Sequence, residues 1–123
     1  MRRLAPASVL VLAATFAACV PPRESVDGES VDGRTKVALD IRPASGDSVS
    51  GTGTLRVAGR PVPVRLRGRW NEKGDGIRNL EGTLRADTAR GESWLIAWSP
   101  SELNGSLRDE GGAEVRINSP ETR

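Results

Sequence analysis

The four-residue pattern Gly-Ser/Thr-Leu-Arg occurs three times in this chain: Gly53-Thr54-Leu55-Arg56, Gly82-Thr83-Leu84-Arg85 and Gly105-Ser106-Leu107-Arg108. Each copy precedes a turn and a return stretch: VPVRLRGRW from Val62, SWLIAWSP from Ser93 and AEVRINSP from Ala113. Apolar residues alternate along these stretches, the mark of a strand with one buried face. Val37, Leu39 and Ile41 also share a face, which adds a strand before the three hairpins. No window carries a helical period, and turn residues recur about every eight to twelve positions. The sequence therefore predicts an all-β fold, an antiparallel up-and-down meander of about seven strands. The predicted strands lie at 35–42, 49–57, 62–70, 78–87, 92–98, 102–108 and 113–118.

Matching faces sets a register, because a slip by one residue exposes the whole apolar set. Val57 is expected opposite Val62 and Leu55 opposite Val64, with Pro63 in a non-hydrogen-bonded pair with Arg56. In the next hairpin Leu84 meets Trp94 and Leu80 meets Trp98. In the one after, Trp98 meets Leu103 and Trp94 meets Leu107. Gly53, Gly68, Gly82 and Gly105 share parity with the core residues. Glycine inside a strand costs stability unless curvature or close packing needs it. A strongly curved sheet or a small, partly closed barrel is expected.

The N-terminus reads MRRLAPASVLVLAATFAAC. Arg2 and Arg3 form a positive n-region, and Leu4–Ala18 is uncharged, mostly apolar and small at its end, the layout of a secretory signal peptide. It is shorter than the roughly 20 apolar residues of a spanning helix. Phe16-Ala17-Ala18-Cys19 resembles the bacterial lipobox, with Phe16 where Leu is usual. That resemblance implies a lipoprotein: residues 1–18 are cut away, and Cys19 takes a diacylglycerol and an amide-linked acyl chain. The implied place is the bacterial cell envelope, on the outer membrane, since Val20 is not the Asp of inner-membrane retention. Acyl chains contribute roughly 0.8 kcal/mol per buried methylene, so the membrane is the first implied partner. Between anchor and domain, residues 20–34 contain ESVDG twice, at Glu24–Gly28 and Glu29–Gly33. With no apolar period, the stretch reads as a disordered tether. Asp27, Glu29 and Asp32 within it lack the spacing of an EF-hand loop. The division is signal peptide 1–18, lipidated Cys and tether 19–34, and one β domain at 35–119.

Composition removes most chemistry. The chain has no His and one Cys, which excludes Ser-His-Asp and Cys-His catalysis and makes a zinc site unfavourable. No phosphate-loop motif is present. A glycosidase needs two carboxylates facing a cleft; Glu72, Asp75, Asp87 and Glu92 are loop-borne acids and the candidates for such a pair, but their simplest role is to end strands. Without Arg2 and Arg3 the chain has 16 basic and 16 acidic residues, so its basic character belongs to the leader and no nucleic-acid partner is indicated. No catalytic residue, cofactor or metal is expected.

Two surface features remain. Arg65, Arg67 and Arg69 alternate with core residues and project from one outer face about 6.6 Å apart. Arg56 is expected near them on the partner strand. Arginine suits bidentate contacts with phosphate or carboxylate, so anionic lipid, an anionic glycan or an acidic protein would fit this stripe. Trp70, Trp94 and Trp98 are candidate contacts for an apolar ligand, or else the bulk of a small core. The readings are a non-catalytic, membrane-anchored β module for binding or envelope structure, and a carrier of a small apolar ligand whose topology is similar to that of the lipocalins.

Overall fold

The hairpin rhythm starts one strand earlier than the sequence predicts. The computed structural model describes residues 24–72, 74 and 76–120. The leader, Cys19 and the tether residues 20–23 lie outside them, as does Asp75. Eight strands follow in chain order: β1 Glu24–Glu29, β2 Thr35–Pro43, β3 Ser48–Val57, β4 Arg60–Glu72, β5 Arg78–Ala86, β6 Ser93–Ser99, β7 Asn104–Asp109 and β8 Glu114–Asn118. Each pairs antiparallel with the next, and β1 meets β8 to close a barrel.

The expected tether is therefore corrected from Glu24 onward. The first ESVDG copy is β1, laid along β2 with Val26 opposite Leu39 and Gly28 opposite Val37. The second copy supplies the turn into β2. Val26 is buried among the core residues Val37, Leu39, Ile41 and Ile117. One large apolar residue in six was too sparse to register as a period, yet a barrel that must close can use such a strand. Its ladder satisfies backbone groups on β2 that an open edge would leave bare.

Alternation works as expected on the other strands. Val62, Val64 and Leu66 point inward from β4 and Leu80, Leu84 and Ala86 from β5, all buried. The expected register holds between β5 and β6, where Leu84 faces Trp94 and Leu80 faces Trp98. Two hairpins differ from expectation by two residues. Leu55 pairs with Val62 and Val57 with Arg60, while Pro63 faces Thr54 and Arg56 faces Pro61. The cause is a two-residue turn: Ala58 and Gly59 take φ of 51° and 81°, the conformation that matches strand twist in the tightest hairpins. Between β6 and β7, Trp98 faces Gly105, Ile96 faces Leu107 and Trp94 faces Asp109. Leu103 sits in the connecting loop at φ 58° instead of in a strand. A slip of two keeps every side chain on its face, so face matching cannot detect it.

Candidate anion-binding groove

The barrel's interior and its outer face compete as sites, and each of the two carries one of the sequence candidates. The interior holds the tryptophans. Trp98 is buried, and Trp70 and Trp94 pack partly buried against the core. Trp70 and Trp98 flank Leu80 from β4 and β6, whereas Trp94 is opposite Leu84. Four residues of strand, roughly 13 Å, separate Leu80 from Leu84, so the three rings do not form one cluster. The Arg78 guanidinium lies 4.4 Å from the centre of the Trp70 ring and 3.2 Å from the Glu24 carboxylate. The β4–β5 end of the barrel is thereby fastened to β1. Beside Trp94, a cavity of about 70 Å³ touches Leu55, Val57 and Leu107. Sites for drug-sized ligands run to roughly 300–1,000 Å³. The rings act as core.

The outer face of β2, β3 and β4 has a different build. β3 presents a row of short hydroxyl side chains: Ser48, Ser50, Thr52 and Thr54 all point outward. Longer side chains stand on both sides of this row. Ser50 lies between Arg42 of β2 and Arg67 of β4, and Thr52 lies between Asp40 and Arg65. Short residues flanked by long ones make a groove of about 430 Å³, with Ser50, Gly51 and Thr52 as its floor. One strand further on, Arg85 of β5 stands directly opposite Arg65. Like charges in such a pair destabilise a sheet.

Few of these charges are neutralised within the fold. Asp87 reaches Arg65 only at 4.0 Å, with both side chains exposed. Such contacts contribute little, about 0–1 kcal/mol. Glu81 is opposite Arg69, but its carboxylate accepts a 2.6 Å hydrogen bond from Asn71 Nδ2. Arg42, Arg67, Arg69 and Arg85 have no ion-pair partner within 4.0 Å among the described residues. Asp40 likewise makes no side-chain hydrogen bond or ion pair there.

The structure thus brings Arg65 and Arg67 together in the groove and puts Arg69 just beyond it. It does not bring Arg56 in. That residue faces Lys36 and Pro61, four positions along the strand from Thr52, and its Nη1 donates to the Gly59 carbonyl at 3.1 Å. Sequence reasoning missed Arg42, Arg85 and Asp40. Their outward parity was legible, but placing them beside Arg65 and Arg67 requires the β2–β3 and β4–β5 registers.

The acids do not assemble into a catalytic pair. Glu72 is at the end of β4 opposite Arg78, whereas Asp87 and Glu92 lie in the connection after β5, at the other end of the barrel. Among the described residues no three acids cluster closely enough to hold a metal ion. No protein-family model matches the chain, and no curated protein and no solved structure matches it.

Proposed function

We propose that the chain is a non-catalytic binding module of the bacterial cell envelope. It is anchored to the outer membrane through acyl chains on Cys19, and it uses the groove on its outer face to take an anionic ligand. The observation that carries this reading is the pair Arg42 and Arg67, without ion-pair partners among the described residues, on either side of a hydroxyl floor. Arginine's planar fork matches phosphate and carboxylate oxygens bidentately, and serine and threonine hydroxyls add donors. The carrier reading draws less support, because the cavity beside Trp94 is too small for a lipid-sized guest.

The test uses the chain from Val20 onward, which contains the whole barrel and lacks the lipidation site. It should sediment with vesicles containing phosphatidylglycerol and not with phosphatidylcholine alone. Binding should weaken with salt, since exposed charges are screened beyond about 8 Å at physiological ionic strength. Joint replacement of Arg42, Arg65 and Arg67 by Gln should weaken binding about a hundredfold, at roughly 1 kcal/mol per arginine near an acidic surface. The melting temperature should hardly change. Unaltered binding by the triple variant would refute the reading. So would a large drop in melting temperature, which would make the arginines structural.

A further inference from the structure

A groove built only to attract anions has no use for a carboxylate in its wall. Asp40 is such a carboxylate. It lines the groove together with Arg42, Arg65 and Arg67, is exposed on the outward face of β2, and is engaged by neither neighbouring arginine within 4.0 Å. The two cross-strand rows therefore differ. One reads Arg42–Ser50–Arg67 and offers two guanidinium forks over a hydroxyl. The adjacent row reads Asp40–Thr52–Arg65 and puts a negative group on the β2 side. Outward positions on one strand are about 6.6 Å apart, which is within one small polar headgroup.

The groove's cations are all arginine, and no aromatic side chain lines it. A sugar ring would lack the stacking platform that such ligands commonly use, whereas tetrahedral oxyanions suit arginine forks and hydroxyl donors. Resting on the anion-binding reading above, we propose that the groove recognises a phosphate ester that also carries an ammonium group, as in the phosphoethanolamine headgroup of a membrane lipid. The phosphate lies over Ser50 between Arg42 and Arg67, and the ammonium faces Asp40. Asp40 then acts as a selector. It repels a ligand with a second negative charge and accepts the N–H groups of a primary ammonium, donors that a quaternary choline headgroup lacks.

The experiment is calorimetric titration of the full chain in non-ionic detergent. The ligands are glycerophosphoethanolamine and its N-acetylated form, which keeps the phosphate and loses the positive charge. The wild type should bind the first about threefold to fivefold more tightly, the fold-change that an exposed ion pair carries. Asp40→Asn should erase the difference by weakening the amine ligand alone, and Arg67→Gln should weaken both ligands. Both side chains are exposed, and circular dichroism of each variant checks that the fold is kept. Equal affinity of the wild type for the two ligands, with both weakened by Arg67→Gln, would overturn the amine selectivity and leave the anion groove standing. If Arg67→Gln changes neither, or neither ligand binds, the groove reading falls too. Doping the micelles with phosphatidylethanolamine addresses the source. Displacement of the soluble ligand assigns the groove to a membrane headgroup, and no displacement overturns that source in favour of a soluble phosphoester.

Discussion

The chain contains one pentapeptide twice in succession and folds it two ways. In the first copy Val26 is 1% exposed, and Gly28 is buried opposite Val37 in an extended strand. In the second copy Val31 is 88% exposed and Gly33 takes φ 74°. Ser25 points to solvent, but Ser30 is buried. The Ser30 hydroxyl donates to Asp32 Oδ1 at 2.6 Å and accepts from the Thr35 N–H at 3.1 Å. The two glycines serve different needs. A Cβ at Gly28 would come within 3.1 Å of Trp98 Cζ3 and 3.0 Å of Ile117 Cδ1, so the position needs space. A Cβ at Gly33 would meet only the Glu29 carboxylate, at 3.5 Å, so that position needs the left-handed backbone. Identical local preferences are thus resolved by what lies across the barrel. One copy meets β2 on its flank and Ile117 and Trp98 underneath. The other falls where the chain must reverse.

The largest way to break this contrast is at the valines. Val26→Asp should destabilise the barrel by more than about 3 kcal/mol, because a carboxylate would be buried without a partner. Val31→Asp should stay within about 0.5 kcal/mol, as surface changes do. Urea denaturation of the two variants is the check, and equal effects would return both copies to the tether. The glycines come next. Gly28→Val should cost about 1–3 kcal/mol through overpacking, and Gly33→Ala about 1–2 kcal/mol through backbone strain. The two are separable by rescue: Ile117→Ala, which makes room, should recover part of the Gly28→Val loss and none of the Gly33→Ala loss.

The smallest effect belongs to the aspartates. The Ser30 hydroxyl, then the Arg34 N–H at 3.0 Å, hold the Asp32 carboxyl below its ordinary value. A carboxylate with a lowered folded-state pKa stabilises at pH above its unfolded value, about 4, and that contribution fades as pH falls through the folded value. Asp32→Asn should therefore lower the melting temperature slightly at neutral pH, with the gap to wild type closing in acid. Asp27→Asn, on the outward face of β1, should leave the melting temperature at neutral pH nearly unchanged. A gap that stays constant down to the acid limit would mean the turn does not depend on the charge.

How much was legible follows from which residues carry the signal. Six strands are legible because each places two or more large apolar residues on one face, as Val62, Val64 and Leu66 do, and β7, which places only Leu107, is legible through its copy of the Gly-Ser/Thr-Leu-Arg repeat. β1 places only Val26, and its glycine looks like a linker residue until Ile117 and Trp98 are known to press on it. Registers were legible only to within two residues, because Ala58 gives no sign that it will accept a positive φ. The groove was half legible for the same reason. Arg65 and Arg67 are adjacent in one strand, but Arg42 and Asp40 are neighbours of theirs only across β3.

The most direct measurement of the central claim is a residue-resolved NMR titration of the chain from Val20 onward with inorganic phosphate. The expected result is a set of salt-sensitive shifts at the backbone amides of Arg42, Ser50, Thr52, Arg65 and Arg67. The indole signals of Trp70, Trp94 and Trp98 should stay in place. Shifts at the indoles with a silent β2–β3–β4 face, or no shift anywhere below salt-screening conditions, would contradict the outer groove as the binding site.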